Sequence, residues 1–338
     1  MKVICSLCPM SCALDEGCWG NCHARCNRNG RIVAPGYGLP SAVQIDPMEK
    51  KPLYHFYPGE SILSIGTSGC NLHCKNCQNA SLSQVRADAV STYTLLPHEV
   101  PVLAHEQGCR HVAYTYAEPL VCYEYTHACC EAARAAGLSN VLVTAGYIEE
   151  EPLRDLLRVV DAANVDVKAF DDAFYRVNCQ ASLAPVLRTL RILCEMQVHV
   201  EITQLVIPTL NDSVAQVRAL CAWIVRYLGA DVPLHFSRFF PQYRLRDLPM
   251  TPLETLLRAR DCALQSGLHF VYLGNVDTPE GTETVCPRCA HVLIRRQGYS
   301  AVFDAAFEAG CCTRCGTALP GRWRSPERAF RNHQDRGE

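Results

Sequence analysis

From Ser61 to Val276 the chain alternates short runs rich in Val, Ile, Tyr and Phe with longer amphipathic stretches. The short runs predict strands at Ser61–Thr67, His111–Tyr116, Asn140–Ala145, Asn164–Lys168, His199–Ile207, Pro233–Phe239 and His269–Val276. The amphipathic stretches predict helices at Pro97–Gly108, Pro119–Ala136, Glu150–Ala162, Ser182–Gln197, Ser213–Leu228 and Pro252–Gly267. Gly108, Gly137, Gly229 and Gly267 stand at helix ends, where the chain adopts a left-handed turn. Strand–helix alternation over ~200 residues implies parallel strands and right-handed crossovers, hence an α/β barrel, open or closed. A doubly wound sheet has the same one-dimensional pattern, and periodicity does not separate the two.

Both ends break this rhythm. Residues 1–35 are rich in glycine, asparagine and cysteine, with Cys5, Cys8, Cys12, Cys18, Cys22 and Cys26. Residues from 284 onward carry the pairs Cys286-x2-Cys289 and Cys312-x2-Cys315, beside Cys311. Neither segment is apolar enough for a core of its own, so bound metal is expected to supply the missing stability. The expected organisation is a cysteine-rich module at 1–35, a barrel at 36–283, a zinc-ribbon-like module at 284–325 and a polar tail at 326–338.

Composition narrows the class. Apolar residues make up 49% of 338, enough for a large core. The net charge of −2 shows no basic footprint, so neither nucleic acid nor an anionic membrane is an expected partner. No apolar run is long enough to span a bilayer and the first residues lack a signal-peptide core, so a cytoplasmic location is expected. Twenty-two cysteines in a chain this long are not a small secreted disulfide scaffold. Clustered thiols in a reducing compartment read as metal ligands. The scattered ones (Cys109, Cys122, Cys129, Cys130, Cys179, Cys194, Cys221 and Cys262) lie in apolar patterns and read as small buried hydrophobes.

The chemistry centres on Cys70-x3-Cys74-x2-Cys77, directly after the first predicted barrel strand. Three thiolates on one loop suit three irons of a [4Fe–4S] cubane and leave the fourth iron open, whereas a fully ligated cluster or structural zinc takes four ligands. The competing readings are a zinc knuckle that borrows His73 and a chance grouping of buried thiols. In the N-terminal set, Cys5, Cys8, Cys12 and Cys22 are enough for one closed site, with Cys18 and Cys26 as extra ligands. Spacing leaves zinc and a second [4Fe–4S] cluster both open there. Cys286, Cys289, Cys312 and Cys315 fit a zinc ribbon, with an auxiliary cluster as the alternative. Either terminal module also suits a docking surface for a protein partner.

The cysteine loop resembles the signature of the radical S-adenosylmethionine (SAM) superfamily. With Asp46-Pro47-Met48-Glu49-Lys50-Lys51-Pro52, Cys5-Ser6-Leu7-Cys8-Pro9 and the C-terminal pairs, nearly the whole chain resembles the AmmeMemoRadiSam group, related to pyruvate formate-lyase activating enzyme. The resemblance implies a (β/α)6 partial barrel, SAM chelated to the open iron, and reductive cleavage of SAM to a 5′-deoxyadenosyl radical. It further implies that Glu118 receives the SAM amino group, that Asp166 and Lys168 lie near its methionine end, and that Asn79 closes the loop motif. Departures fall at Asn76, Ala117, Ala145 and Gln242-Tyr243, where relatives carry other SAM contacts. Without the cofactor, Glu118 and Lys168 read as a charged pair closing the barrel, and Thr67 and Asn211 as turn and capping residues.

The function expected is hydrogen abstraction from a small molecule or peptide, with a one-electron donor such as flavodoxin or ferredoxin. Memo-type and AMMECR-type proteins are the implied partners. The alternatives are an activase that acts on a partner protein's glycine and, from another class, an iron–sulfur or zinc electron-transfer or scaffold protein.

Overall fold

The structure, a computed structural model, describes residues 1–276 and 278–323. The predicted tail at 326–338 lies outside the described residues. Eight strands form one sheet: β1 (Ala42–Pro47), β2 (Ser61–Gly66), β3 (His111–Tyr114), β4 (Ser139–Thr144), β5 (Ala162–Asp166), β6 (His199–Val206), β7 (Leu234–Arg238) and β8 (Val271–Gly274). Their spatial order follows the chain from β1 to β8. A doubly wound sheet reverses its strand order midway; this one never does, and its two edges do not join, so the fold is a partial barrel.

Strands β2 to β8 are parallel, and all seven coincide with the predicted ones to within a few residues. The helices that join them are α1 (Glu99–Glu106), α2 (Tyr123–Ala135), α3 (Glu150–Leu156), α4 (Ala184–Glu195), α5 (Val214–Tyr227) and α6 (Leu253–Gln265). Two helix expectations need correction. The stretch from Pro119 opens with a tight 3-10 turn, because the Glu118 side chain accepts the Leu120 N–H and caps it. The stretch from Glu150 does not run to Ala162: helix α3 ends at Leu156 and Ala162 already belongs to β5. Apolar pairs recur at Leu156-Leu157, Val159-Val160 and Ala162-Ala163, so no break in pattern marks that change. Strand β1 has no counterpart in the sequence reading; it pairs antiparallel with β2, and its Val43 and Ile45 alternate over too few residues to stand out.

Register decides what each face of the sheet meets. Ile65, Tyr114, Leu142, Ala163 and Val200 lie side by side, and they share one core with Val100, Ala133, Leu190, Leu220 and Leu256 of the helices. The other face carries Ser64, Ala113, Val141, Ala162 and His199 across the strands and is closed at the strand beginnings by Met48, Leu53 and Phe56. Alternation continues it into Asn164, Asp166, Glu201 and Thr203, so the barrel lumen is polar. Of the scattered cysteines, Cys109, Cys122, Cys129, Cys130, Cys221 and Cys262 are buried in the helix-side core, as small hydrophobes should be.

Residues near the N-terminus form two short hairpins, Val3–Ile4 with Ala13–Leu14 and Cys26–Arg28 with Arg31–Val33. Near the C-terminus, Thr284–Val285, Val292–Gln297 and Ser300–Phe303 make a three-stranded antiparallel sheet. That sheet packs Leu293 and Ile294 against Tyr54, Phe270 and Tyr272 of the barrel.

Candidate active site

Parallel strands direct all their C-terminal ends to one rim, and the cysteine loop follows β2 there. Its backbone is tied on several sides. Cys70 donates to the Cys22 carbonyl at 3.0 Å, His73 to the Cys179 carbonyl at 2.8 Å and Lys75 to the Asn178 carbonyl at 3.0 Å. The segment after β7 crosses above it, with Arg244 N–H on the Lys75 carbonyl at 3.0 Å and Gln242 Nε2 on the Asn76 carbonyl at 3.4 Å. The Asn71 amide donates to the Tyr147 carbonyl at 2.7 Å. Such a loop holds its three sulfurs in place before any metal arrives.

Burial pushes the Cys70 and Cys77 thiols up, so both stay protonated until a metal displaces the proton. Cys74 goes the other way, because the thiol of Cys179 hydrogen-bonds to it. Cys179 is fully buried and sits in a single π-helical turn, Tyr175–Cys179, between β5 and α4. Its sequence context is that of a core hydrophobe; no spacing pattern connects it with the loop, and only the chain reversal after β5 brings it there.

Glu118, 2% exposed, accepts hydrogen bonds from Thr144 Oγ1 at 2.6 Å, Ala145 N–H at 2.8 Å and Leu120 N–H at 3.2 Å. Burial raises its carboxyl above the ordinary range, and these donors only partly offset that. Ala145 thus contributes its backbone N–H to the site. Lys168 Nζ lies 2.9 Å from Asp166 Oδ2. Burial opposes the ammonium charge, yet Asp166 and Cys74 hold it well above its ordinary value. Glu118 and Lys168 are therefore not each other's salt-bridge partners, and the expected charged pair is replaced by two separate groups. Asn79 donates to the Tyr116 carbonyl at 2.7 Å. Tyr116 is itself fixed by its hydroxyl on Asp46, which also takes the buried Lys51 ammonium at 2.6 Å. Asn211 bridges β5 and β6, with its amide on the Lys168 and Leu205 carbonyls and its oxygen on Ile207 N–H, the turn role expected of it.

Cys5, Cys8, Cys12 and Cys22 line one cavity, whereas Cys18 and Cys26 do not. At the other end, the ligand sulfurs of Cys286, Cys289, Cys312 and Cys315 all lie within 4.8 Å of one another, and Cys311 is not among them. Sulfurs of a zinc tetrahedron stand about 3.8 Å apart for a Zn–S bond near 2.3 Å. The closest pairs here, at 3.5 Å and 3.6 Å, fit that set, so these four cysteines can bind a metal.

Residues 64–221 match the profile of the Radical SAM superfamily. An uncharacterized protein of Methanocaldococcus jannaschii is 42% identical over 319 residues, spanning 94% of this chain and 95% of that protein. The chain belongs to the radical SAM superfamily. Among solved structures, a radical SAM methyltransferase from Sphaerobacter thermophilus has a TM-score of 0.49 at 16% identity, covering 64% of this chain and 67% of its own. QueE from Escherichia coli has a TM-score of 0.44 at 14% identity, covering 70% and 92%. Neither likeness carries an argument about substrate. Membership implies a [4Fe–4S] cluster and SAM; three thiols on a braced loop, with carboxylate and ammonium groups beside them, suit that pair. Among the described residues no helix is long and apolar enough to cross a membrane.

Proposed function

We propose that Cys70, Cys74 and Cys77 hold the cluster, that Glu118, Asp166, Lys168 and Asn79 seat SAM, and that hydrogen is abstracted from a diffusible small molecule or peptide. The observation that carries this reading is the grouping of three loop thiols, Cys74 buried and Cys70 and Cys77 partly exposed, with Glu118 and Lys168 at one rim of the barrel. When bound, the cluster supplies one electron that breaks a sulfonium carbon–sulfur bond of SAM, giving methionine and a 5′-deoxyadenosyl radical. Glu118 offers a fixed carboxylate for the amino group of SAM, since its three donors leave a lone pair to spare. Lys168, oriented by Asp166, offers an ammonium for the carboxylate. Gln242 and Arg244 close the loop from above and limit access of water and oxygen. The electron comes from an external one-electron carrier of the flavodoxin or ferredoxin class.

Two observations support a diffusible polar substrate. Asn164 Oδ1 and Thr203 Oγ1, on the lumen face, are buried and lack hydrogen-bond partners, a costly state that a ligand or water relieves. The stretch from Gln78 to Gly108 contains no cysteine, unlike activating enzymes that insert extra clusters there, and the motifs resemble the AmmeMemoRadiSam group with its Memo-type and AMMECR-type neighbours.

Anaerobically reconstituted protein with dithionite and SAM should release methionine and 5′-deoxyadenosine, and the triple variant C70A/C74A/C77A should not. Equal cleavage by that variant would remove the loop from the mechanism. Deuterium from labelled cell extract should appear in 5′-deoxyadenosine with the small-molecule fraction. A glycyl-radical doublet in electron paramagnetic resonance, seen only with the protein fraction, would instead establish an activase.

A further inference from the structure

We propose that Cys5, Cys8, Cys12 and Cys22 bind a second [4Fe–4S] cluster, seated directly against the Cys70–Cys77 loop. The inference stands independently of the SAM-cleavage reading. The two terminal cysteine sets differ in spacing. Among the described residues, the C-terminal four are the group of metal-ligating side chains whose ligand atoms all come within 4.8 Å of one another. The N-terminal four surround a common cavity without closing to that distance. Zinc needs its sulfurs drawn onto a single ion, whereas a cubane puts four irons between them. Gly20 lines the cavity: a Cβ there would lie 3.8 Å from both the Cys12 and the Cys22 sulfur, so the two flank the same point.

The surroundings suit thiolates. Asn21 N–H points at the Cys12 sulfur at 3.5 Å, Ala24 and Arg25 N–H at Cys22, and Met10 N–H at Cys8. Hydrogen bonds to the sulfurs are among the features by which proteins set a cluster's potential. Leu7, Met10 and Val121 complete an apolar wall. One buried donor beside the cavity has no partner: Arg25 Nε, in a side chain 7% exposed. The Arg25 guanidinium also reaches Cys5, and its positive charge faces what would be four ligand thiolates.

Contact with the first site is direct. The Cys22 carbonyl accepts the Cys70 N–H, so one hydrogen bond joins a ligand of each set, and Asn71 of the loop lines the second cavity.

The test uses the full chain, reconstituted anaerobically with iron and sulfide. Wild type should carry about eight irons in two cubanes. C70A/C74A/C77A should keep about four, with a reduced-cluster resonance that SAM does not alter, and this variant leaves the N-terminal module intact. C12A/C22A should also keep about four, now with a SAM-responsive signal, while C18A should match wild type. Spectra of fully reduced wild type should be broader than the sum of the two variants, because the clusters are adjacent. Zinc at about two per chain, with no iron left in C70A/C74A/C77A, would overturn the assignment. Iron at four per chain with a SAM response would overturn it while leaving the SAM-cleaving reading untouched.

Discussion

Single residues decide how the cysteine loop is held. Gly69 has φ of +95°, and a Cβ there would meet the Cys22 carbonyl oxygen at 2.5 Å and Ala24 Cβ at 2.9 Å. Gly69→Ala therefore forces the loop and the N-terminal module apart, at a cost on the order of 1–3 kcal/mol. The expected result is a lower melting temperature and reduced iron retention, relative to Gly108→Ala, where φ is +68° but nothing lies within 4 Å. SAM anchoring is a second residue-scale matter. Glu118→Ala and Lys168→Ala should each weaken SAM binding by about one to two decades, the worth of one charge-assisted hydrogen bond. Cluster absorbance should persist, because neither side chain is among the thiolates. Unchanged SAM affinity in equilibrium dialysis would assign both groups to the barrel's own stability.

Whole elements carry the C-terminal module. Its sheet has few apolar residues of its own, so it depends on its cysteines and on its seat against the barrel. Arg296 is the main fastener: its guanidinium lies 3.9 Å from the Tyr54 ring centroid and donates to the Tyr54 carbonyl at 2.9 Å and to Thr284 Oγ1 at 2.9 Å. We predict that C286S/C289S loses one zinc per chain, and that limited proteolysis then cuts between 284 and 323 while the barrel keeps its iron. Proteolysis of both proteins at the same rate would show that the seat alone holds the module. The π-helical turn Tyr175–Cys179 is the other element with consequences, since it places Cys179 against Cys74 and two carbonyls against the loop. Such turns interrupt an α-helix to re-aim side chains at functional sites.

At the scale of the molecule, a buried polar cluster at the strand beginnings joins barrel and C-terminal module. Glu201 accepts from the backbone of Tyr54 and His55 and from the rings of His199 and His235. His55 bonds through its two ring nitrogens to the Pro320 carbonyl and the Tyr272 hydroxyl. Burial holds His55 near 4, with Arg296 and His199 adding to the effect and Glu201 opposing it. Between pH 6.5 and 4 the unfolded chain binds a proton at His55 that the folded chain refuses. Stability from this group is complete above pH 6.5 and is lost on acidification towards pH 4, by about 3 kcal/mol. Urea midpoints should fall from pH 7.5 to 5, and His55→Gln should flatten that fall; an equal slope in both proteins would place the acid lability elsewhere. The sequence by itself determined the seven parallel strands, the six helices between them and the cysteine loop after the first. Those rest on local periodicity and spacing, which need no tertiary partner to be read. Tertiary structure alone decided that the strand order never reverses, that β1 covers one edge, that Glu118 and Lys168 are separate groups and that Cys179 stands beside Cys74. Spacing already singles out Cys5, Cys8, Cys12 and Cys22; the fold decided that their cavity lies against the loop and leaves Cys18 and Cys26 outside it. These are contacts between residues distant along the chain, set by how strands stack and where connections return, and no local pattern encodes them.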